Sequence, residues 1–544
     1  MANEYRESDP GQQERYRRTV SQAERAKRRR RRRRLQILKL VLLVLAVLVV
    51  VGGVTFLVVK LVRHKNDDKR ETIPVITTTS PEQMTEAPTT TAAPAEEGKH
   101  TEVYNTAARM AAMYDYDGAI AYIQAGVPDY ESDAGLLALV QNCSAKKLQL
   151  VKWKDNTQIT HIFFHSLIED KQIAFSSSKS SEYNQVMTTI PEFNRIIQTM
   201  YEGGYVLVHL SDICKMETLP DGRQQMTMQA IYLPEGKKPF VLSVDDLSYY
   251  EYMKETGGFA NRLVVTDKGN VVCEMDITEE DGSVSHVRGN FDVVPLLDAF
   301  VEEHPDFSYH GAKGTIALTG YNGIFGYRTS EISYGSKDPN KVDLTIYERW
   351  PSTYEYYNEH IEEDRVTAKA VADALRATGW KFASHTWGHM NMSNERDGGD
   401  GNPTERFYRD TQWWDTEVRP LLGEVDIIIF AFGADIGSWR GYTDENKAFL
   451  HLKERGFNYF CNVDSSQHAW VQYSATAGGS GYLRQGRRNL DGQLLYKAIL
   501  YPEKEILSDL FDPLEIIDRD RPLPVEGVTV PEGVDGTTLP EAGD

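Results

Sequence analysis

Two histidines stand four residues apart in the segment KFASHTWGHMN, at His385 and His389. They follow a short apolar run that reads as a strand ending in Ser384. Two imidazoles at this spacing can face one point, and neutral imidazole is a common ligand of zinc. A catalytic zinc usually takes three protein ligands and keeps one position open for water. The segment therefore predicts part of a metal site, and a third ligand has to come from elsewhere in the chain.

The best third ligand is a carboxylate in the segment FVLSVDD, where an apolar run ends in Asp245 and Asp246. One carboxylate could bind the metal while its neighbour, pointing elsewhere, acts as a base. Each motif also has an ordinary structural interpretation, because histidines often only form hydrogen bonds and Asp-Asp often caps a turn or a helix. Both motifs stand at the C-terminal end of an apolar strand, where α/β barrels place their catalytic residues. Their combination favours a metal-dependent active site.

The segment SVDD resembles the first motif of the NodB-like polysaccharide deacetylases (carbohydrate esterase family 4), whose usual form is Thr-Phe-Asp-Asp. HTWGH is similar to the His-Ser/Thr-x-x-His motif of that family. The stretches 161–168 (HIFFHSLI) and 190–213 resemble its opening strand and its first helix-strand unit. The resemblance covers roughly residues 160–521. It implies a distorted, incomplete TIM-like barrel and the metal-dependent removal of acetyl groups from N-acetylated sugars.

Amide hydrolysis gives each of these residues a role under the resemblance. Asp246, His385 and His389 would hold a divalent metal; Zn²⁺ is the expected ion, although cobalt and similar ions share such ligands. The metal would lower the pKa of a bound water toward ~7 and polarise the acetyl carbonyl. Asp245 would take the proton from that water as the catalytic base, by analogy with the family.

Two later motifs of the family are missing from this sequence. Members usually carry Arg-x-Pro-Tyr, whose arginine orients the aspartate base, but the matching stretch DIIIFAFGAD has an apolar residue in that place. Members also carry a late Leu-x-His whose imidazole is the general acid, and LRQGRRNLDGQLLYKAIL contains no histidine. His468 is the nearest substitute, while Arg487, Arg488 and Asp491 are candidates for an alternative orienting pair. Loss of a general acid could lower the rate by ~100 to 10,000-fold.

Short apolar runs alternate with helical segments around these motifs, which predicts a parallel sheet that is closed or nearly closed. The predicted strands are 161–164, 206–209, 240–244, 315–318, 382–384, 427–431 and 459–463. The predicted helices are 191–202, 290–303, 367–378, 404–421 and 446–455. The stretch 261–287 breaks the alternation and reads as an inserted β-hairpin. The predicted fold class is therefore α/β, a distorted, incomplete TIM-like (β/α) barrel of the polysaccharide-deacetylase type.

The start of the chain predicts a membrane anchor. Residues 1–34 form a basic segment that ends in KRRRRRRR, and residues 35–62 are nearly continuous Leu and Val. The uncharged core of that stretch is long enough to span about 30 Å of hydrocarbon as a helix. The positive-inside rule places the basic tail in the cytoplasm and the rest of the chain outside the cell membrane. An arginine run can also bind nucleic acid, but its position beside the apolar stretch and the net charge of −20 argue against a nucleic-acid partner.

The remaining boundaries follow from composition. Residues 63–100 are rich in Thr, Pro, Ala and Glu and predict a disordered linker. Residues 101–150 show helical spacing and predict a small helical segment before the barrel domain, which spans 151–521. Residues 522–544 are rich in Pro, Gly and acidic residues and predict a disordered tail. Four widely spaced cysteines indicate no thiol chemistry.

These features predict a membrane-anchored, metal-dependent deacetylase outside the cytoplasm. Its partner would be a cell-wall or exported polysaccharide that carries N-acetyl groups, peptidoglycan or a similar glycan. The alternative is a glycan-binding cell-surface protein that keeps the barrel and has lost the chemistry, which the missing arginine and late histidine favour. A third possibility, a sensor whose basic tail recruits a cytoplasmic partner, depends on the tail alone.

Overall fold

The structure is a computed structural model, and it describes residues 100–278, 283–335, 351–396, 402–437 and 439–540. The predicted basic tail, transmembrane stretch and all but the last residue of the linker lie outside these ranges. Within them, no helix combines the length and the apolar composition needed to cross a membrane.

The described part of the chain begins with three helices, α1 (Thr101–Ala112), α2 (Tyr116–Gly126) and α3 (Ala134–Lys147). They occupy the segment 101–150, for which the sequence predicted helical structure. The first two helices are separated at Asp115, whose carboxylate caps α2 by accepting a hydrogen bond from the Gly118 amide at 2.9 Å. The helices contact the barrel domain through Tyr114, whose hydroxyl donates to the carbonyl of Asp306 at 2.7 Å.

Seven parallel strands form a closed barrel in the order β11, β12, β13, β14, β16, β2, β7, and β7 pairs again with β11. Because both faces of these strands are covered, six of the seven are mainly apolar runs, and β16 is the exception. The barrel strands are β2 (Thr160–Phe164), β7 (Lys238–Asp245), β11 (Thr315–Leu318), β12 (Lys381–Ser384), β13 (Ile427–Ile429), β14 (Tyr459–Val463) and β16 (Tyr482–Asn489). The remaining strands are β1 (Val151–Lys152), β3 (Tyr205–Leu207), β4 (Cys214–Thr218), β5 (Gln224–Met228), β6 (Tyr232–Leu233), β8 (Arg262–Val265), β9 (Val271–Thr278), β10 (Val284–Gly289) and β15 (Val471–Ser474).

Two strands of the nine-stranded sheet take no part in its closure: β15, which pairs antiparallel with β16, and β3. Strand β3 pairs with the first residues of β7, from Lys238 to Phe240, whereas β11 pairs with the last residues, from Ser243 to Asp245. The seven remaining strands therefore close the barrel without an eighth strand. This confirms the expectation of an α/β barrel, which seven parallel strands close.

Helices cover the outside of the barrel and connect its strands. One example is the helix Ile190–Glu202, where Thr189 and Glu192 form a reciprocal capping box and Pro191 occupies the first turn. The helices after α3 are α4 (Lys171–Ser176), α5 (Ser180–Val186), α6 (Ile190–Glu202), α7 (Leu210–Ile213), α8 (Glu251–Thr256), α9 (Val293–Glu303), α10 (Glu331–Tyr334), α11 (Pro351–Ala377), α12 (Glu405–Glu417), α13 (Arg419–Leu422), α14 (Lys447–Glu454), α15 (Gly492–Leu500) and α16 (Pro513–Ile516).

Two predictions about the edges of the barrel domain were wrong. The expected hairpin at 261–287 is a three-stranded antiparallel sheet, β8 to β10, because a turn at Gly269, with φ of 83°, joins an additional strand. The expected disordered tail packs on the barrel instead as far as the structure describes it. Val525 is 1% exposed, and the Tyr496 hydroxyl donates to the carbonyl of Gly536 at 2.6 Å. A few apolar residues in a polar segment were enough to anchor it.

Candidate metal centre

The predicted site residues all stand at the carboxyl end of the barrel. Asp245 is the last residue of β7 and Asp246 follows it, while His385 directly follows β12. Strand β11 lies between β7 and β12 and pairs with both, and its Ala317 is opposite Asp245 and Ala383. Parallel strands in this register end at the same height, so the two motifs meet although 139 positions separate Asp246 from His385.

Asp246, His385 and His389 form a group that could hold a metal ion, because their ligand atoms all lie within 4.8 Å of one another. Oδ2 of Asp246 is 3.4 Å from Nε2 of His389 and 4.0 Å from Nε2 of His385. Ligands of a tetrahedral zinc at ~2.0 to 2.1 Å are separated by about 3.3 Å. The pair of Asp246 and His389 already has this separation, and the other two pairs, which lie within 4.8 Å, need to close by less than about 1.5 Å. The donor set of two imidazoles and one carboxylate fits a divalent metal such as zinc.

Hydrogen bonds aim two of the three ligands at the common point. Nδ1 of His385 donates to the carbonyl of Ile429 at 2.8 Å, which leaves Nε2 with its lone pair toward Asp246. The Tyr250 hydroxyl donates to Oδ1 of Asp246 at 2.5 Å and lies 2.8 Å from Oγ1 of Thr319, so Oδ2 remains for a metal. Partners of this kind fix the orientation of metal ligands and raise their basicity.

The turn that carries His389 is held from outside the barrel by α12. The carboxylate of Asp410 accepts hydrogen bonds from the backbone amides of Trp387 and Gly388, both at 2.8 Å. The indole of Trp387 donates to Glu417 at 2.9 Å, so Trp387 is a core residue that supports the turn. His389 has a φ of 48°, and Asp246 has a φ of 59°. Left-handed backbone is costly for such residues and concentrates at functional sites.

Asp245 is bound by Arg487 of strand β16. The guanidinium makes two parallel hydrogen bonds to its carboxylate, at 2.7 and 2.8 Å, and a third to Oγ of Ser243 at 3.0 Å. Burial alone would raise the pKa of Asp245, but Arg487 and His385 lower it to about 2. Oδ2 of Asp245 is 4.0 Å from Nε2 of His385. An ionised carboxylate therefore stands beside the metal group throughout the neutral pH range.

Electrostatics keep the metal group in the protonation state that a cation needs. Burial would raise the pKa of Asp246, but His389 and His385 lower it below its ordinary value. Burial lowers the pKa of His385, although the two aspartates oppose this shift. Ionised carboxylate and neutral imidazole are the forms that bind metal.

Exposed aromatic side chains surround the mouth of the barrel. The ring of Phe432 packs on the ring of His389 with centroids 4.3 Å apart, and 68% of Phe432 is exposed. Trp439, in the same β13–α14 connection, is 78% exposed. The buried ring of Tyr250 is stacked between the half-buried rings of Tyr252 and Tyr321, with centroids 5.4 and 5.3 Å away. Exposed rings beside a polar site are typical of a surface that binds an amphipathic ligand.

The structure separates His468 from the other predicted site residues. Its Nε2 lies 3.1 Å from the carbonyl of Glu505, and its Nδ1 lies 3.8 Å from Asp509. No contact joins it to the metal group among the described residues. Of the three candidates for an orienting pair, Arg487 contacts Asp245, Arg488 binds Asp509, and Asp491 caps α15. His165 follows β2 at the same end of the barrel and was not among the predicted site residues.

A scan against protein-family models, a search of curated proteins and a search of solved structures each found no match for this chain.

Proposed function

We propose that this protein is a metal-dependent deacetylase that hydrolyses N-acetyl groups of a cell-wall or exported polysaccharide. The observation that carries the proposal is the meeting of Asp246, His385 and His389 around one point, with the ionised Asp245 directly beside them. The motifs SVDD and HTWGH, which resemble those of NodB-like deacetylases, contribute all four residues. The membrane anchor and the location outside the cytoplasm depend on the apolar stretch at 35–62.

Two groups of residues would serve the reaction: one would hold a cation, and the other would supply the base. Asp246, His385 and His389 would hold a divalent cation, for which Zn²⁺ fits the donor set. Such a cation, when bound, polarises the acetyl carbonyl and acidifies a water molecule. Asp245 then accepts the proton of the attacking water, and Arg487 keeps the carboxylate ionised and correctly turned. A carboxylate with a pKa of about 2 is a weak base, so it depends on the acidification of the water.

A glycan is the substrate that the surroundings favour. The hydroxyl groups and apolar ring faces of a sugar complement a polar site bordered by exposed aromatic rings, such as Phe432 and Trp439. An acetamido group on such a sugar presents the carbonyl that the cation would polarise. The fold subtype of the polysaccharide deacetylases, a distorted and incomplete TIM-like barrel, is part of the same proposal.

Two measurements on the purified full-length protein test this function. Elemental analysis should find about one divalent metal ion per chain, and N-acetylglucosamine oligomers should release acetate. His385→Ala and His389→Ala should each lose both the metal and the activity. Metal binding and acetate release that survive in both variants would refute the site.

The competing function is a glycan-binding protein without catalysis. It is favoured by the strand β16, which ends in Arg487, Arg488 and Asn489 where the resemblance implies a late histidine. The variant Asp245→Asn separates the two functions. An enzyme loses acetate release while it retains glycan binding, whereas a binding protein shows no acetate release even before the substitution.

A further inference from the structure

The deacetylation reaction needs a proton donor for the departing nitrogen, and the alternation of strand β2 indicates one. Strand β2 pairs with β7 so that Phe163 is opposite Ser243 and Phe164 is opposite Val244. The ring of His161 reaches into the barrel, where Nε2 lies 3.0 Å from Oγ of Ser243. Alternate residues of a strand share a face. His161, Phe163 and position 165 therefore form one column that rises through the barrel to its carboxyl end.

The contacts of this column place His165 near Arg487 and Asp245. The guanidinium of Arg487 lies 4.1 Å from the centroid of the Phe163 ring, and the ring of His165 meets the same phenyl ring edge-on at 5.8 Å. His165 is close enough to Asp245 and Asp246 to lower the pKa of both carboxyls. Burial raises the pKa of Asp491, the carboxylate that caps α15, and His165 opposes this rise. The imidazole thus stands at the mouth, within electrostatic range of the proposed base and of the metal group.

The other imidazoles near Asp245 have different roles. His161 is 1% exposed, and both of its ring nitrogens have partners, Gln485 and Ser243. His385 and His389 supply the ligand atoms of the metal group. His165 differs from His161 and His385 because it is partly exposed, so its ring is accessible from the mouth of the barrel.

We propose that His165 is the proton donor to the leaving nitrogen, an inference that rests on the deacetylase function proposed above. Water oxygen forms a bond to the acetyl carbon while Asp245 takes the proton of the water. The C–N bond then breaks, its electron pair stays on nitrogen, and nitrogen takes a proton from His165. The products are acetate and the free amine of the sugar. The proton on Asp245 returns to His165 through solvent, which restores both residues.

The test compares two leaving groups in the full-length protein loaded with Zn²⁺. The amide of N-acetylglucosamine oligomers needs a protonated leaving group, whereas the phenolate of 4-nitrophenyl acetate leaves without a proton. We expect His165→Gln to lower acetate release from the oligomers by ~100 to 10,000-fold, with ester hydrolysis and metal content unchanged. The exposed His286, in the β8–β10 sheet, gives the control variant His286→Gln, which should match wild type on both substrates.

Three outcomes overturn the inference. The first is a His165→Gln protein that deacetylates as fast as wild type. The second is an equal loss on both substrates, which would indicate a structural role or a role in metal binding. The third is a selective loss on the oligomers in His468→Gln in place of His165→Gln. Wild-type protein that binds metal and releases no acetate from the oligomers refutes the proposed function itself, and is distinguishable from all three.

Discussion

Replacement of Arg487 by Gln should show how much the ion pair between Arg487 and Asp245 contributes to the free energy of unfolding. The guanidinium and the Asp245 carboxylate are both buried, and two hydrogen bonds of 2.7 and 2.8 Å join them. Removal of one partner from a buried ion pair leaves an uncompensated charge and typically costs ~3 to 5 kcal/mol. We expect Arg487→Gln to lower the free energy of unfolding by about this amount near neutral pH.

The pH dependence of that loss identifies its cause. The pKa of folded Asp245 is about 2, against an ordinary value of 3.8. Its ionised form therefore stabilises the wild-type fold above pH 3.8, by about 2 kcal/mol, and this contribution disappears as the pH falls through about 2. Without Arg487, burial dominates and the folded pKa rises, so ionisation then opposes folding. The stability deficit of the variant should grow as the pH rises from about 3 to about 6.

Urea denaturation of the metal-free full-length protein, followed by tryptophan fluorescence across this pH range, measures the deficit. Arg488→Gln is the matched control, because Arg488 is equally buried on the same strand and binds Asp509 through two hydrogen bonds of 2.8 Å. The control should lose stability without the same pH dependence. Asp245→Asn combined with Arg487→Gln should recover part of the loss. A deficit that is constant with pH, or equally pH-dependent in Arg488→Gln, would refute the assignment of Arg487 to Asp245.

Three further outcomes follow from the contacts. Tyr250→Phe removes the hydrogen bond to Asp246, so metal affinity measured by competition with a chelator should fall ~10 to 100-fold while the melting temperature of the metal-free protein changes little. Zn²⁺ at about 100 times its Kd should stabilise the fold by about 2.7 kcal/mol, seen as a higher Tm, and this shift should be absent in His389→Ala. Arg521→Gln leaves the fully buried Glu192 unpaired and should cost ~3 to 5 kcal/mol in urea denaturation; a loss below about 1 kcal/mol would contradict it.

Most of the barrel could be predicted because its strands are buried on both faces. Continuous apolar runs marked six of the seven barrel strands and also the short β3. The same principle placed Asp245, Asp246 and His385 at strand ends. The motifs could be predicted to meet although they are far apart in the chain, since parallel strands in register bring their ends together. The convergence of Asp246, His385 and His389 was predictable for this reason.

Strand β16 was missed because it does not look like a buried strand. It contains Arg484, Arg487 and Arg488, which are 2%, 0% and 1% exposed. Arginine is usually found at the surface, so a sequence reading assigns such a stretch to a loop. Each of these side chains is paired with a carboxylate from a distant segment, namely Asp435, Asp245 and Asp509. Such long-range pairs leave no local pattern in the sequence.

His165 could have been found by the rule that identified the metal ligands. It follows the apolar run 161–164 as His385 follows 382–384. The general acid was instead predicted from chain order, as a histidine near the end of the domain. In a closed barrel, chain order does not indicate which residues lie close together, because β16 pairs with β2 and the last barrel strand lies beside the first.

Closure also shows that the chain has residues in place of the two missing motifs. Under the proposed function, Asp245 is oriented by a guanidinium, and the position of that arginine in the chain is irrelevant to the carboxylate. His385 and His389 come after β12 and lie on the β11 side of β7, whereas Arg487 on β16 and His165 after β2 lie on the opposite side. The cation and the proposed proton donor would therefore be separated by the strand that carries the proposed base. Hydrolysis of an amide requires such a division, since the carbonyl oxygen and the leaving nitrogen lie on different sides of the attacked carbon.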